Sequence, residues 1–256
     1  MGLFGKLFEK KSCDICGGEI GLLGNRKLED GNLCKECAKK LSPWFSDRRQ
    51  STVAQIRAQL DYREANRAEV EQFHVTRTLG LDTKVLLDED AGKFLVTSAP
   101  RWKEANPDVL DFSQVTGCDV DVEESKSEEK RKLPDGKEVS YNPPHYHYSY
   151  EFWIAIYVNS PWFDKIRFRL GRDVEIDTAG ARFVGTLNPR TDREYQERER
   201  MANEIRTALT QVRRQVRREA EAAAAPKQVV TCPWCGATTT PDEAGRCEFC
   251  GGSVRN

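Results

Sequence analysis

Eight of the nine cysteines fall into four Cys-x-x-Cys pairs: Cys13 with Cys16, Cys34 with Cys37, Cys232 with Cys235, and Cys247 with Cys250. Each pair turns two sulfurs toward the same side, and two pairs supply the four soft ligands that a zinc ion takes in a tetrahedron. Seventeen residues separate the first two pairs and eleven the last two. Glycine follows the second cysteine in three of them, as Gly17, Gly236 and Gly251, where a positive φ closes the turn without a side-chain clash. The expectation is two zinc ions, one held by Cys13, Cys16, Cys34 and Cys37 and one by Cys232, Cys235, Cys247 and Cys250. A lone Cys-x-x-Cys would suit redox chemistry, but paired pairs at this spacing argue for a structural metal.

The remaining candidates for chemistry are sparse. Cys118 has no neighbouring motif that would lower its pKa and reads as a small buried apolar residue, the alternative being a reactive thiol. His145 and His147 share one strand face without an accompanying cysteine or carboxylate pair, so a solvent-facing strand entry is expected over a metal site. His74 reads as a packing residue at a helix end. Asp119, Asp121 and Glu123 alternate along one strand and read as a solvated face over a cation site. No Ser-centred elbow or phosphate-cradling glycine loop is visible, and the chain is expected not to be an enzyme, with no small-molecule substrate.

These cysteines need elements to hold them. After Cys16 come short apolar stretches around the Asp30-Gly31 turn, and Cys34 opens the helical "CKECAKKLSPWF". A knuckle, a hairpin and a helix whose first turn carries the last two ligands make a treble clef. The C-terminal block, with two knuckles and a short "ATTT" strand, reads as a zinc ribbon. "CDICGGEIGLLGNRKLEDGNLCKECAKKLSPWFSDRRQSTVAQIRAQLDYREAN" resembles the N-terminal treble-clef zinc domain of the bacterial domain-of-unknown-function 4428 family, over about the first 75 residues. The resemblance makes Cys13, Cys16, Cys34 and Cys37 the ligands and names no activity. The C-terminal block is similar to bacterial zinc ribbons and also to rubredoxin loops, in which Cys-Pro-x-Cys-Gly binds iron, so iron is the alternative occupant there.

Between the metal sites, Thr52 to Gln55 forms a capping box for a helix to about Phe73, with Val53, Ile56, Leu60, Val70 and Phe73 as its apolar positions. Antiparallel strands follow: a hairpin in "TKVLLDEDAGKFLVTS", an alternating "VLDFSQVTGCDVDVEE", and a second hairpin joining "YSYEFWIAIYVN" to "KIRFRLG". The polar "ESKSEEKRKLPDGKEVSYNPPH", with four Pro and Gly positions, reads as an exposed mobile loop. Thr191 to Glu194 forms a second capping box before a helix whose apolar stripe is Met201, Ile205, Leu209, Val212 and Val216. About six strands followed by one amphipathic helix resemble bacterial pleckstrin-homology-like domains, a likeness that carries no function.

The fold class is therefore α+β, two four-cysteine zinc domains flanking an antiparallel β domain in the chain. The expected organisation is a treble-clef-like domain with a short amphipathic start at 1–50, a helix at 51–75, the β domain at 76–188, an Arg-rich amphipathic helix at 189–225 and a ribbon at 226–256. Net charges of +3 over 1–50, −6 over 51–188, +2 over 189–225 and zero beyond leave no strongly basic segment. Four thiolates on one zinc ion add a net charge of about −2 per site, which weighs further against nucleic acid. With no apolar run near the roughly 20 residues of a membrane span and no secretory signal, a cytoplasmic address is expected. The reading these features support is an adaptor that docks a protein partner, with Trp234 and Phe249, one in each C-terminal knuckle, as contact residues. Its rivals are a nucleic-acid-associated regulator and a membrane-surface adaptor held by the "MGLFGKLFEKK" start.

Overall fold

The computed structural model describes residues 11–178, 187–224, 229–242 and 244–254. Two compact units divide the chain, Met1–Arg213 and Arg214–Asn256. The first opens with two short hairpins, β1 (Lys11–Ser12) with β2 (Glu19–Ile20) and β3 (Arg26–Lys27) with β4 (Asn32–Leu33), followed by the one-turn helix α1 (Lys35–Ala38). Cys13, Ile20, Leu28, Leu33, Cys37, Leu41 and Ile56 form its small core. About 50 residues bury too little apolar surface to fold alone, so a core that includes two cysteines depends on what those cysteines hold.

Helix α2 (Val53–Gln72) starts at the capping box expected of it: Gln55 N–H donates to Thr52 Oγ1 at 3.3 Å, and Thr52 N–H donates to Gln55 Oε1 at 2.8 Å. Its buried stripe is Ile56, Gln59, Arg63, Asn66 and Val70, at the three-and-four spacing of one helical face but polar in the middle. That departs from the all-apolar reading, because the stripe packs on loop backbone whose groups need partners. Arg63 Nη1 donates to Asp108 Oδ1 at 2.8 Å, and Ser42 Oγ donates to Asp108 Oδ2 at the same distance. Asn66 Nδ2 donates to the Pro107 carbonyl at 2.7 Å, while its oxygen accepts from Val109 N–H at 2.9 Å. The N-terminal four-cysteine domain, α2 and the entry to the β region are thereby tied by buried hydrogen bonds.

Among its described residues the β region holds eight strands where about six were expected. β5 (Arg77–Gly80), β6 (Lys84–Asp88), β7 (Lys93–Thr97) and β8 (Val109–Asp111) form one antiparallel sheet in sequence order, with the short helix α3 (Trp102–Ala105) between the last two. In the second sheet β10 (Glu138–Val158) is central, paired along one edge with β9 (Val115–Lys132) and along the other with β12 (Val174–Asp177) and β11 (Lys165–Arg169). Tyr150, Phe152, Ile154, Ile156 and Val158 are buried at a period of two, the signature of one covered face.

The polar segment expected to be a mobile loop is instead the far half of the β9–β10 hairpin. Its register runs from Glu138 with Lys132 to Ser140 with Lys130, shifts across Pro143 and Pro144, and resumes at His145 with Glu129. A ribbon wet on both faces needs no apolar alternation, so its strand character leaves no periodic mark. Ring contacts hold it: across the ladder Lys126 lies 3.8 Å above the Tyr146 ring, and within β10 His145 stacks on Tyr141 at 4.2 Å. Gly136, at φ +83°, closes the turn, its N–H donating to the Leu133 carbonyl at 2.9 Å.

Helix α4 (Arg193–Ala224) carries on from the first unit into the second. Its cap is Asp192, whose Oδ1 accepts from Tyr195 N–H at 2.9 Å; the expected Thr191 cap belongs to a preceding 3-10 turn, its hydroxyl donating to the Asn188 carbonyl. Asp192 sits one residue closer to the helix and so wins the cap. Ile205 and Leu209 are buried as expected, but the stripe extends back through Tyr195, Arg198 and Ala202. Tyr195 meets Tyr150 and Phe152 edge-on at 5.1 Å each, seating the helix on the second sheet. Among its described residues the second unit adds one hairpin, β13 (Val230–Thr231) with β14 (Thr238–Thr239), and two cysteine knuckles. No described helix is long and apolar enough to cross a membrane.

Candidate metal centres

At the N-terminal centre the β1–β2 hairpin presents Cys13 and Cys16, and α1 presents Cys34 as its cap and Cys37 in its turn. The knuckle closes through Gly17 N–H to the Cys13 carbonyl and Cys13 N–H to the Gly18 carbonyl, both 2.8 Å, with Gly17 at φ +73°. Backbone N–H groups also point at sulfur, from Cys34 to Cys13 Sγ and from Cys37 to Cys34 Sγ, each 3.3 Å. Asp14 braces the two halves: its Oδ2 accepts from Asn32 N–H at 2.6 Å, and its own N–H donates to the Asn32 carbonyl at 2.9 Å.

The C-terminal centre is built from two equivalent knuckles. Gly236 N–H donates to the Cys232 carbonyl at 2.9 Å and Gly251 N–H to the Cys247 carbonyl at 2.8 Å. Trp234 Nε1 donates to the Ser253 carbonyl at 3.0 Å, and the indole lies so close to Gly252 that a Cβ there would meet it at 2.7 Å. The ring is thus pinned by one edge while 75% of the residue stays exposed.

In each centre the four sulfurs lie within 4.8 Å of one another. Sulfurs about 2.3 Å from a tetrahedral zinc ion are separated by about 3.8 Å. Cys16 and Cys34 Sγ stand 3.8 Å apart, Cys232 and Cys250 3.6 Å, and Cys235 and Cys247 3.7 Å, which fits the ion and is far outside a disulfide bond. Burial pushes the Cys13 thiol up, but backbone N–H bonds from Cys16, Cys34 and Ile15 outweigh it and bring the pKa down to about 6. Cys247 follows the same balance, burial against the Cys250 and Phe249 amides, and falls to about 6. Burial and the adjoining sulfurs push Cys37 upward. Four thiolates cannot share one small volume without a cation among them, so the donor set suits a divalent ion with soft affinity. Both tetra-cysteine groups can hold a metal, and zinc is consistent with each.

Residues 11–59 match the family described as Domain of unknown function (DUF4428). The DUF4428 segment thus takes in the first four cysteines and the start of α2, ending short of the 75 residues over which the resemblance was drawn. No curated protein and no solved structure matches the chain.

The other sequence candidates are placed apart from these centres. His145 faces Glu129 at 3.4 Å and His147 faces Glu175 at 2.7 Å, and neither joins a metal-holding cluster among the described residues. Asp119, Asp121 and Glu123 are exposed, and Glu123 pairs with Arg167, whose guanidinium stacks 3.8 Å from the Trp153 ring. Cys118 is buried, and burial with the nearby Asp119 pushes its thiol up to about 12. His74 donates its backbone N–H to Asp88 at 2.9 Å.

Proposed function

We propose that the protein is a non-enzymatic zinc adaptor that docks a protein partner. The observation that carries the reading is the exposure of Trp234 (75%) and Phe249 (69%) at equivalent places in the two knuckles of the C-terminal centre. A metal-folded unit with two aromatics in water, Trp234 held by its bond to the Ser253 carbonyl, is a small knob of the kind that supplies interface hot spots. Supporting the adaptor over a nucleic-acid reading, arginines of α4 and its approach are engaged by glutamates of the same helix: Arg193 with Glu197 at 3.0 Å, Arg190 with Glu199 at 2.7 Å and Arg217 with Glu221 at 2.7 Å. The four-stranded sheet, second sheet and following helix support a pleckstrin-homology-like platform as the adaptor's middle part.

The test is affinity capture from a bacterial lysate with the intact chain, a chain ending at Ala225, and the double variant Trp234→Ser with Phe249→Ser, each washed with nuclease and salt. A partner retained by the intact chain and lost by both others is expected. Equal recovery by the double variant, or recovery only of nuclease-sensitive nucleic acid, overturns the reading.

A further inference from the structure

Leu22 and Leu23 are 83% and 93% exposed, more than any other large apolar residue among those described. They are the two central residues of a tight turn from Gly21 to Gly24, closed by Gly24 N–H donating to the Gly21 carbonyl at 2.9 Å. The chain runs from this turn directly into the lining of a cleft of about 680 Å³, whose charged residues are Arg26, Lys27, Arg48 and Arg49 with a single carboxylate, Glu29. Arg26 Nη1 reaches back to the Leu23 carbonyl at 3.4 Å, and Arg48 Nη1 lies 3.5 Å from the Lys27 carbonyl, so the cations and the leucines belong to one surface. The 3-10 turn Asp47–Gln50 that carries Arg48 and Arg49 is fastened there by Glu29 N–H donating to the Ser51 carbonyl at 3.0 Å. None of the four cations enters an ion pair among the described residues. Burial first, and the adjacent Arg26 and Arg49 charges after it, hold the Arg48 pKa below its usual value.

We propose that this surface docks on an anionic phospholipid membrane, with Leu22 and Leu23 entering the boundary between headgroups and acyl chains and Arg26, Lys27, Arg48 and Arg49 taking lipid phosphates. Charge complementarity selects an anionic occupant, and the leucines select among anionic occupants. A nucleic-acid backbone would satisfy the cations and leave the leucines in water. A convex turn of two leucines is far smaller than the roughly 800 Å² per partner of a stable protein interface, yet it suits a fluid interface that closes around it. Cations beside a shallow apolar wedge give reversible, salt-sensitive binding.

The test is co-sedimentation of the full zinc-loaded chain with vesicles of phosphatidylcholine alone or mixed with phosphatidylglycerol. The variants are Leu22→Ser with Leu23→Ser, and Arg48→Gln with Arg49→Gln. Leu22, Leu23 and Arg49 are exposed and Arg48 is half-buried, and zinc content with circular dichroism verifies folding. Binding to the mixed vesicles only, weakened about tenfold or more in each variant and reversed by salt, is expected. Absence of binding to mixed vesicles overturns the proposal, as does undiminished binding in either variant, which would place membrane affinity elsewhere, the first ten residues included. Equal binding of soluble glycerol phosphate or of an RNA oligomer, insensitive to the leucine changes, overturns it in favour of a free phosphate or nucleic-acid ligand.

Discussion

Asp108 shows how a single side chain can decide the fit between modules. Its side chain is fully buried and accepts from Arg63 and Ser42, while Arg63 also donates to the Asn106 carbonyl and, at 3.4 Å, to the Lys40 carbonyl. Removing one member leaves the other's charge buried without its partner. Asp108→Ala is therefore expected to lower stability by about 3–5 kcal/mol in urea unfolding. Changing Arg63→Met as well should recover only part of it, since the carbonyls that Arg63 serves lose their donor too. A loss below about 1 kcal/mol for Asp108→Ala would mean that water replaces the pair at little cost. Nothing in the local pattern of α2 announces this knot: Gln59, Arg63 and Asn66 look like solvent-facing residues until the loop at 106–109 is placed against them.

Among the elements, α4 depends on one glycine outside it. Gly171, at φ +77°, turns the chain after β11, and the two carbonyls beside it, Leu170 and Arg172, accept from Arg198 Nη1 at 2.6 Å each. A Cβ at Gly171 would stand 2.6 Å from that nitrogen. Gly171→Ala combines a left-handed strain with a displaced buried guanidinium and is expected to cost about 1–3 kcal/mol, read as a lower midpoint in thermal unfolding. At the start of α2, Thr52→Ala removes a reciprocal cap and should cost about 1 kcal/mol in the same measurement. The first capping box was readable in sequence and the second was not, because Thr191 and Asp192 are both good caps and the 3-10 turn from Pro189 decides which one meets the helix. The β9–β10 ribbon was likewise hidden, since its stability comes from cross-strand pairing that composition does not encode.

For the whole molecule, the ninth cysteine provides an internal control on the two centres. A metal-loaded chain is expected to contain about two zinc ions by elemental analysis. Chelation should expose the eight cysteines of the two groups to a thiol reagent and melt the segments they hold, while Cys118 stays slow until global unfolding. Rapid reaction of all nine thiols before chelation would contradict the metal-centred reading. Iron at the C-terminal site would appear as colour and an iron signal in the same analysis. The spacing of the cysteines by itself determined the two four-sulfur centres, because each Cys-x-x-Cys turn, closed by glycine in three of the four, is local geometry. The apolar runs of β6 and β7 and the apolar periodicity of β10 and α4 likewise announced buried strands and an amphipathic helix. Only the tertiary structure decided which polar residues of α2 would be buried, that a charged stretch would pair into a ribbon, and that Arg26, Lys27, Arg48 and Arg49 would gather around one cleft. For α2 and the cationic cleft the deciding contact joins residues distant in the chain, and in the ribbon the pairing leaves no apolar period, so no local pattern registers it.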